Sequence, residues 1–222
     1  MTVLLLAAGR QSRWQESGGD GFKQQITVDG EPIVHRTFRL AAAAGFDVVT
    51  LVQDPGLDCW QGLYPARPSP EPWMGEMGKF LDGRAYWPAA GLVTILYGDV
   101  FYTEATLDLI LGHVPDQPTV YGRARARGRR LESFGFRFDV ADGDEIERVA
   151  RAAADAGMNQ RGGPWRWFHK RHLPELNTYD ANRVRQLATE ANGWVELPPD
   201  ETDDFDRLAD LESWRARFGR CP

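Results

Sequence analysis

The feature that most constrains this chain is a continuous apolar run, Val3-Leu4-Leu5-Leu6-Ala7-Ala8, that passes directly into Gly9-Arg10-Gln11-Ser12-Arg13-Trp14. An apolar run without alternation describes a strand buried on both faces, as in a parallel sheet covered by helices. It is too short to cross a membrane and has no basic n-region of a signal peptide. Its small-residue exit lets a ligand come close to the backbone. N–H groups in such a turn can hold phosphate oxygens. Arg13 and Lys23 add fixed positive charge for the same oxygens, so residues 6–23 read as a triphosphate cradle at the carboxyl end of a first strand.

The remaining chain alternates strand and helix. A polar, glycine-containing loop over 9–22 leads to a short strand at Gln25–Val28 and a turn at Asp29-Gly30. Pro32 in a first helical turn opens a helix that runs through Ala44 and stops at Gly45. Val48–Val52 and Leu92–Tyr97 are further buried strands, separated by an irregular stretch over 53–73 and a helix near Gly75–Leu81. Thr103 caps a helix through Leu111. Thr119–Gly122 and Glu132–Asp139 are strands, the second alternating Phe134, Phe136 and Phe138. Helices follow near 144–156 and 180–191, then a strand near Trp194–Leu197 and a helix from Arg207 to Phe218. The alternation predicts a three-layer, Rossmann-like, mostly parallel α/β sheet with helices on both faces. Ligands bind such sheets outside the carboxyl ends of the strands, where the Ala7-Ala8-Gly9 turn and Asp99 both fall.

At 222 residues the chain suits one domain, or one domain with a small appendage, for which about 120–180 is the candidate subregion. A net charge of −6 argues against a general nucleic-acid binder but leaves room for a local phosphate site. Cys59 and Cys221 form neither a disulfide framework nor a zinc spacing, so the expected setting is a reducing cytoplasm, away from any membrane. No Ser-His-Asp order, cysteine nucleophile or P-loop lysine motif occurs.

Leu6-Ala7-Ala8-Gly9-x-x-Ser12-Arg13, then Phe22-Lys23-Gln24-Gln25, then Gly30-Glu31-Pro32-Ile33 resembles the opening of the GT-A-type nucleotidyltransferases. Gln11 stands where their signature has a second glycine, which bears on how the loop wraps the phosphates. Phe22 stands where it has a proline. The Lys23-Gln24 pair is most similar to the methylerythritol-phosphate cytidylyltransferases. The resemblance implies a GT-A fold and transfer of a nucleotidyl group, CMP in the leading reading, from an NTP to a small phosphorylated sugar, polyol or similar acceptor, with release of pyrophosphate. It assigns Arg13 and Lys23 to the leaving phosphates and the α-phosphorus, where they stabilise an in-line transfer electrostatically. Leu6, Ala7, Ala8, Gly9, Arg10, Gln11, Ser12, Gly75 and Gly98 are the expected nucleotide-binding positions.

Gly98-Asp99-Val100 looks like the family's strand end, whose aspartate holds Mg²⁺, a hard cation suited to carboxylate oxygens. The run from Asp206 to Glu212 is similar to the family's late acidic motif, with Arg207 and Leu208 replacing Thr and Pro. It implies Asp206, or Asp204 on the same face of an extended segment, as the second metal ligand. Read without the family, the alternative for Asp99 is a cap for the helix that begins near Thr103, and the acidic run Glu201-Thr202-Asp203-Asp204-Phe205-Asp206 is a solvated loop or helix N-terminus.

Two constellations stay open. Arg123, Arg125, Arg127 and Arg129 share one face of an extended arm. They read as a solvated hairpin, as an anion site for the acceptor, or as a homodimer contact of the kind related cytidylyltransferases make in this part of the fold. Trp165-Arg166-Trp167-Phe168-His169-Lys170-Arg171-His172 reads as a helix burying its aromatic face, or as an acceptor surface in which Trp165 stacks on the substrate. Two other functions share the sheet: a GT-A glycosyltransferase using a nucleotide sugar, and a nucleotide-binding domain without catalysis.

Overall fold

The computed structural model describes residues 1–7, 12–52, 66–68, 83–124, 131–155, 163–176, 180–190 and 193–220. The elements run β1 (Thr2–Leu6), α1 (Ser12–Glu16), β2 (Thr27–Val28), β3 (Glu31–Pro32), α2 (Ile33–Ala43), β4 (Asp47–Val52), β5 (Ala66–Pro68), β6 (Leu92–Tyr97), β7 (Val100–Phe101) and α3 (Glu104–Gly112). They continue with β8 (Thr119–Ala124), β9 (Leu131–Asp139), α4 (Gly143–Asp155), α5 (Gly163–His172), α6 (Ala181–Glu190), β10 (Trp194–Glu196), β11 (Asp203–Asp204) and α7 (Leu208–Phe218).

The apolar opening run is a central strand. β1 is buried along its whole length and pairs in parallel with β4 on one side and β6 on the other. The main sheet has seven strands among the described residues, in the order β10-β8-β9-β6-β1-β4-β5. Its pairings are parallel except for the two made by β9, which runs antiparallel to β6 and β8. Side chains of β1 divide by parity. Leu4 and Leu6 join the layer of Ile146 and Val149 from α4, Trp165 and Phe168 from α5 and Val184 from α6. Val3 and Leu5 join the layer of Val34 and Ala41 from α2 and Leu107 and Ile110 from α3. The result is the expected three-layer Rossmann-like α/β/α arrangement.

Several local expectations shift. Pro32 precedes α2 instead of lying inside it, because Glu31–Pro32 pairs with Thr27–Val28 across the Asp29-Gly30 turn. Both turn residues have positive φ, 52° and 82°, the conformation a two-residue hairpin needs. The strand expected from Gln25 begins at Thr27, and Lys23–Gln25 instead form one 3-10 turn. The loop over 9–22 contains the short helix α1. Alternation in β9 breaks at Phe134. The pairing steps from Tyr121↔Gly135 to Gly122↔Ser133, so Phe134 is an extra residue and turns to the face opposite Phe136 and Phe138. The expected helix near Gly75–Leu81 lies outside the described residues. No described helix is long and apolar enough to cross a membrane.

Candidate active site

Four segments converge above the carboxyl ends of β1 and β6. The first is α1, which brings Arg13. It is anchored by Trp14, which is buried with Phe205, Leu211 and Trp214 in a small core under α7. Trp14 Nε1 donates to the Asp20 carbonyl at 3.0 Å, and the Leu208 N–H donates to Ser17 Oγ at 2.9 Å. These contacts fasten the loop that leads to Lys23 against the start of α7.

The second segment is the Lys23–Gln25 turn, which directs Lys23 inward until only 7% of it is exposed. The third is the turn between β6 and β7. The Gly98 N–H donates to the Leu6 carbonyl at 2.9 Å, and a Cβ at Gly98 would lie 3.0 Å from that of Ala7. Glycine there lets the ends of β1 and β6 close on each other and sets Asp99 at the rim. The fourth is β11, which pairs antiparallel with β7 in the register Asp204↔Val100 and carries the chain on to Asp206.

Lys23 Nζ forms an ion pair with Asp99 Oδ2 and lies 3.3 Å from Asp206 Oδ1. Arg13 Nη1 pairs with the other oxygen of Asp206. Burial alone would lower the Lys23 pKa. The charges of Asp99, Asp206 and Asp204, with the hydrogen bond to Asp99, override it and raise the pKa above the ordinary lysine value. Lys23 is therefore an ammonium at any physiological pH. The Tyr102 hydroxyl is pushed up too, first by burial and then by the charges of Asp99 and Asp204, with its hydrogen bond to the Tyr97 N–H acting in the opposite direction. Asp99, Asp204 and Asp206 thus share one electrostatic field about a single ammonium.

Carboxylates that already converge on a cation fit a hard divalent ion by donor type. A second acidic group adjoins them. Glu132, Asp203 and Asp204 each place a carboxylate oxygen within 4.8 Å of the others. Asp203 and Glu132 were not singled out in the sequence. Asp203 had a signal in the acidic run, whereas Glu132 comes from a strand more than seventy positions away.

The other sequence candidates fall elsewhere or lie outside the description. Leu6 and Ala7 are buried at the end of β1, their backbones bonded to Gly98 and to Leu51. Ser12 is exposed at the start of α1. Ala8, Gly9, Arg10, Gln11, Gly75 and Arg125 lie outside the described residues. Arg123 does not face the cluster around Lys23 with a free guanidinium. It donates to the carbonyls of Pro198 at 2.8 Å and Thr202 at 3.1 Å and to Asp200 at 2.7 Å. Trp165 is 2% exposed and packs on Trp194 with centroids 4.4 Å apart. Both side chains serve the fold in this structure. Asp210 accepts from the Arg207 N–H at 2.8 Å and caps α7.

A family model described as the MobA-like NTP transferase domain matches residues 3–193. No curated protein matches the sequence significantly. Among solved structures, the inositol-1-phosphate CTP transferase from T. maritima superposes with a TM-score of 0.57 at 13% identity, covering 96% of this chain and 93% of that one. A hypothetical transferase from Thermus thermophilus superposes with a TM-score of 0.60 at 18% identity, covering 95% and 98%. At these identities the two structures establish a shared fold.

Proposed function

Since the chain belongs to the MobA-like NTP transferase family, we propose that its 222 residues form a single domain that transfers an NMP from an NTP to a small phosphorylated acceptor. The observation that carries this reading is the buried Lys23 ammonium held between Asp99 and Asp206, with Arg13 on the far oxygen of Asp206. A triphosphate and a divalent cation have the charges to exchange with these groups. The phosphates take Lys23 and Arg13, and the cation takes the carboxylates.

In the reaction an ionised phosphate oxygen of the acceptor attacks the α-phosphorus. A new P–O bond forms as the bond from the α-phosphorus to the α,β-bridging oxygen breaks. Pyrophosphate leaves with the electron pair. An ionised attacker has no proton to lose, so no general base is required. Lys23, protonated and desolvated, lies where it can stabilise charge developing on the transferring group. Arg13 suits the departing β- and γ-phosphates by its planar fork of donors. Asp99 and Asp206, with Asp204 beside them, would hold Mg²⁺, which supplies charge neutralisation at the phosphates when bound. Ala8, Gly9, Arg10, Gln11 and Ser12 would supply the loop around the triphosphate.

Cytosine is the base we infer, from the Lys23-Gln24 pair. The fold shared with a CTP transferase is consistent with it. The absence of any cysteine framework supports a reducing, cytoplasmic setting.

A thermal-shift panel of CTP, UTP, GTP, ATP and dTTP, with UDP- and GDP-sugars, each with and without Mg²⁺, tests the reading on wild type and Asp99→Ala. Stabilisation by one NTP that needs both Mg²⁺ and Asp99 supports it and names the base. Stabilisation by a nucleotide sugar alone makes the protein a glycosyltransferase. No response to any nucleotide refutes the cradle.

A further inference from the structure

The two-residue ladder between β7 and β11 carries the site's carboxylates. Asp99 immediately precedes β7, and Asp204 and Asp206 lie in or just beyond β11. A ladder this short has little stability of its own. At its Asp99 end the backbone link is long, with the Phe205 N–H 3.4 Å from the Asp99 carbonyl. Its opposite end, however, is closed by one carboxylate, that of Asp200.

Asp200 Oδ2 accepts from the hydroxyls of Thr103 and Thr106, the latter at 2.6 Å, and lies 3.3 Å from Thr202 Oγ1. Its Oδ1 accepts from the Thr202 N–H at 2.9 Å and from Arg123 at 2.7 Å. The Thr103 N–H donates to Thr202 Oγ1 at 3.0 Å. Thr103 stands two residues after β7 and caps α3, and Thr202 stands immediately before β11. Arg123 comes from β8. The carboxylate thus joins the end of one ladder strand, the start of the other, the first turn of α3 and the main sheet. It also lies at a helix N-terminus, where negative charge is favoured.

We propose that Asp200 is a positioning residue for the metal-bearing carboxylates: the knot it closes fixes the β7–β11 ladder, and with it the separation of Asp99 from Asp204 and Asp206. The assignment rests on the reading of those aspartates given above. Groups that orient the ligands of a metal without touching it change metal affinity by about 10- to 100-fold when removed.

The test is thermal stabilisation by CTP, with UTP, GTP, ATP and dTTP alongside, titrated with Mg²⁺ on wild type, Asp200→Ala, Asp206→Ala and Leu107→Ala. Asp200→Ala is expected to need about tenfold more Mg²⁺, or more, for half of the Mg²⁺-dependent shift. Any part of the shift that does not need Mg²⁺, contributed by Arg13 and Lys23, persists. Leu107→Ala, a core truncation in α3, lowers Tm and leaves the Mg²⁺ midpoint in place, so a purely structural loss is told apart. A folded Asp200→Ala with the wild-type midpoint overturns the proposal. Should that variant not fold, Thr106→Val removes one donor to the knot. A smaller shift in the same direction supports the role, and an unchanged midpoint overturns it. If Asp206→Ala raises the Mg²⁺ requirement and Asp200→Ala does not, only the positioning role fails. If Asp206→Ala also behaves as wild type, the reading of the site itself fails.

Discussion

The surroundings of Lys23 and of Trp165 are similarly mixed in composition, basic residues among aromatics, yet the fold uses them in opposite ways. Around Trp165 the mixture is spent locally. Trp165, Trp167 and Phe168 face inward and are almost wholly buried. The basic residues that follow them in the same helix fold back onto nearby groups. Lys170 donates to the carbonyls of Pro174 and Leu176, and Arg171 pairs with Glu145 while lying over the Trp167 ring. Around Lys23 the mixture is spent across the chain. The ammonium meets carboxylates brought from 76 and 183 positions away, and Trp14, an aromatic residue of that segment, fastens the loop. A cation that caps its own helix or covers its own aromatic neighbour is part of the scaffold. One that is buried against remote carboxylates of opposite charge, at the carboxyl ends of strands, is the group we propose to meet the ligand.

The largest expected effect tests the scaffold side. Trp165→Ala should cost about 4 kcal/mol of stability, because it empties a fully packed aromatic site against Trp194. Urea unfolding measures it. The folded fraction should keep its response to nucleotide and Mg²⁺, and loss of that response at unchanged stability would move Trp165 into the acceptor site. The next effect tests the other side. Lys23→Ala should lower turnover by about 10²- to 10³-fold, as expected for one stabilising donor at a reacting centre, with a much smaller change in Tm. Pyrophosphate release reports it, and near-wild-type turnover removes Lys23 from the phosphates.

The contrast also explains what could be read from the sequence. β1 was legible because an uninterrupted apolar run has few alternatives to a central parallel strand. Arg13, Lys23, Asp99 and Asp206 were legible as a set because each belongs to a short motif at an element's end. Glycine and small residues there announce a close approach, which Gly98 makes against Ala7. The bulge at Phe134 was not legible, since Phe134-x-Phe136-x-Phe138 is a perfect alternation and only the pairing with β8 reveals the extra residue. Nor were the partners of Arg123. Period two places arginines on one face of an arm, but the carbonyls and carboxylate that receive Arg123 come from 75 to 79 positions later. Asp200 follows two prolines and reads as an ordinary turn. Its place at the head of α3 depends on contacts spanning nearly half the chain.

Arg123 offers a third, smaller break in the comparison. Arg123→Met keeps part of the aliphatic stem and removes the guanidinium, which lies over the Phe134 ring and donates to Pro198, Thr202 and Asp200. The loss should be about 2 kcal/mol, in the range for hydrogen bonds from a charged group, read as a lowered urea midpoint. A neutral result would release Arg123 from the scaffold and return it to the acceptor side.

The smallest expected effect is one of pH. Burial would raise the Asp200 pKa. Hydrogen bonds from Thr103, Thr106, the Thr202 N–H and Arg123 outweigh it and hold the carboxyl below its ordinary 3.8. A depressed folded-state pKa means that the unfolded chain binds the proton more readily. Stability from this group is therefore complete well above pH 3.8 and is lost as the pH falls through that value and on to the lower folded one. Asp200→Asn has no carboxylate to take up a proton as the pH falls. Its Tm should fall less steeply than that of wild type between about pH 5 and pH 3, the window in which a depressed carboxylate titrates. Lys23 lies at the other extreme. Its raised pKa keeps it charged throughout that window, so Lys23→Met should leave the contribution of Asp200 to the acid slope intact. Parallel Tm–pH curves for wild type and Asp200→Asn would mean that the knot does not depend on the Asp200 charge. A steeper wild-type slope that survives in Lys23→Met assigns the acid sensitivity to the knot closed by Asp200 and not to the Lys23 ammonium.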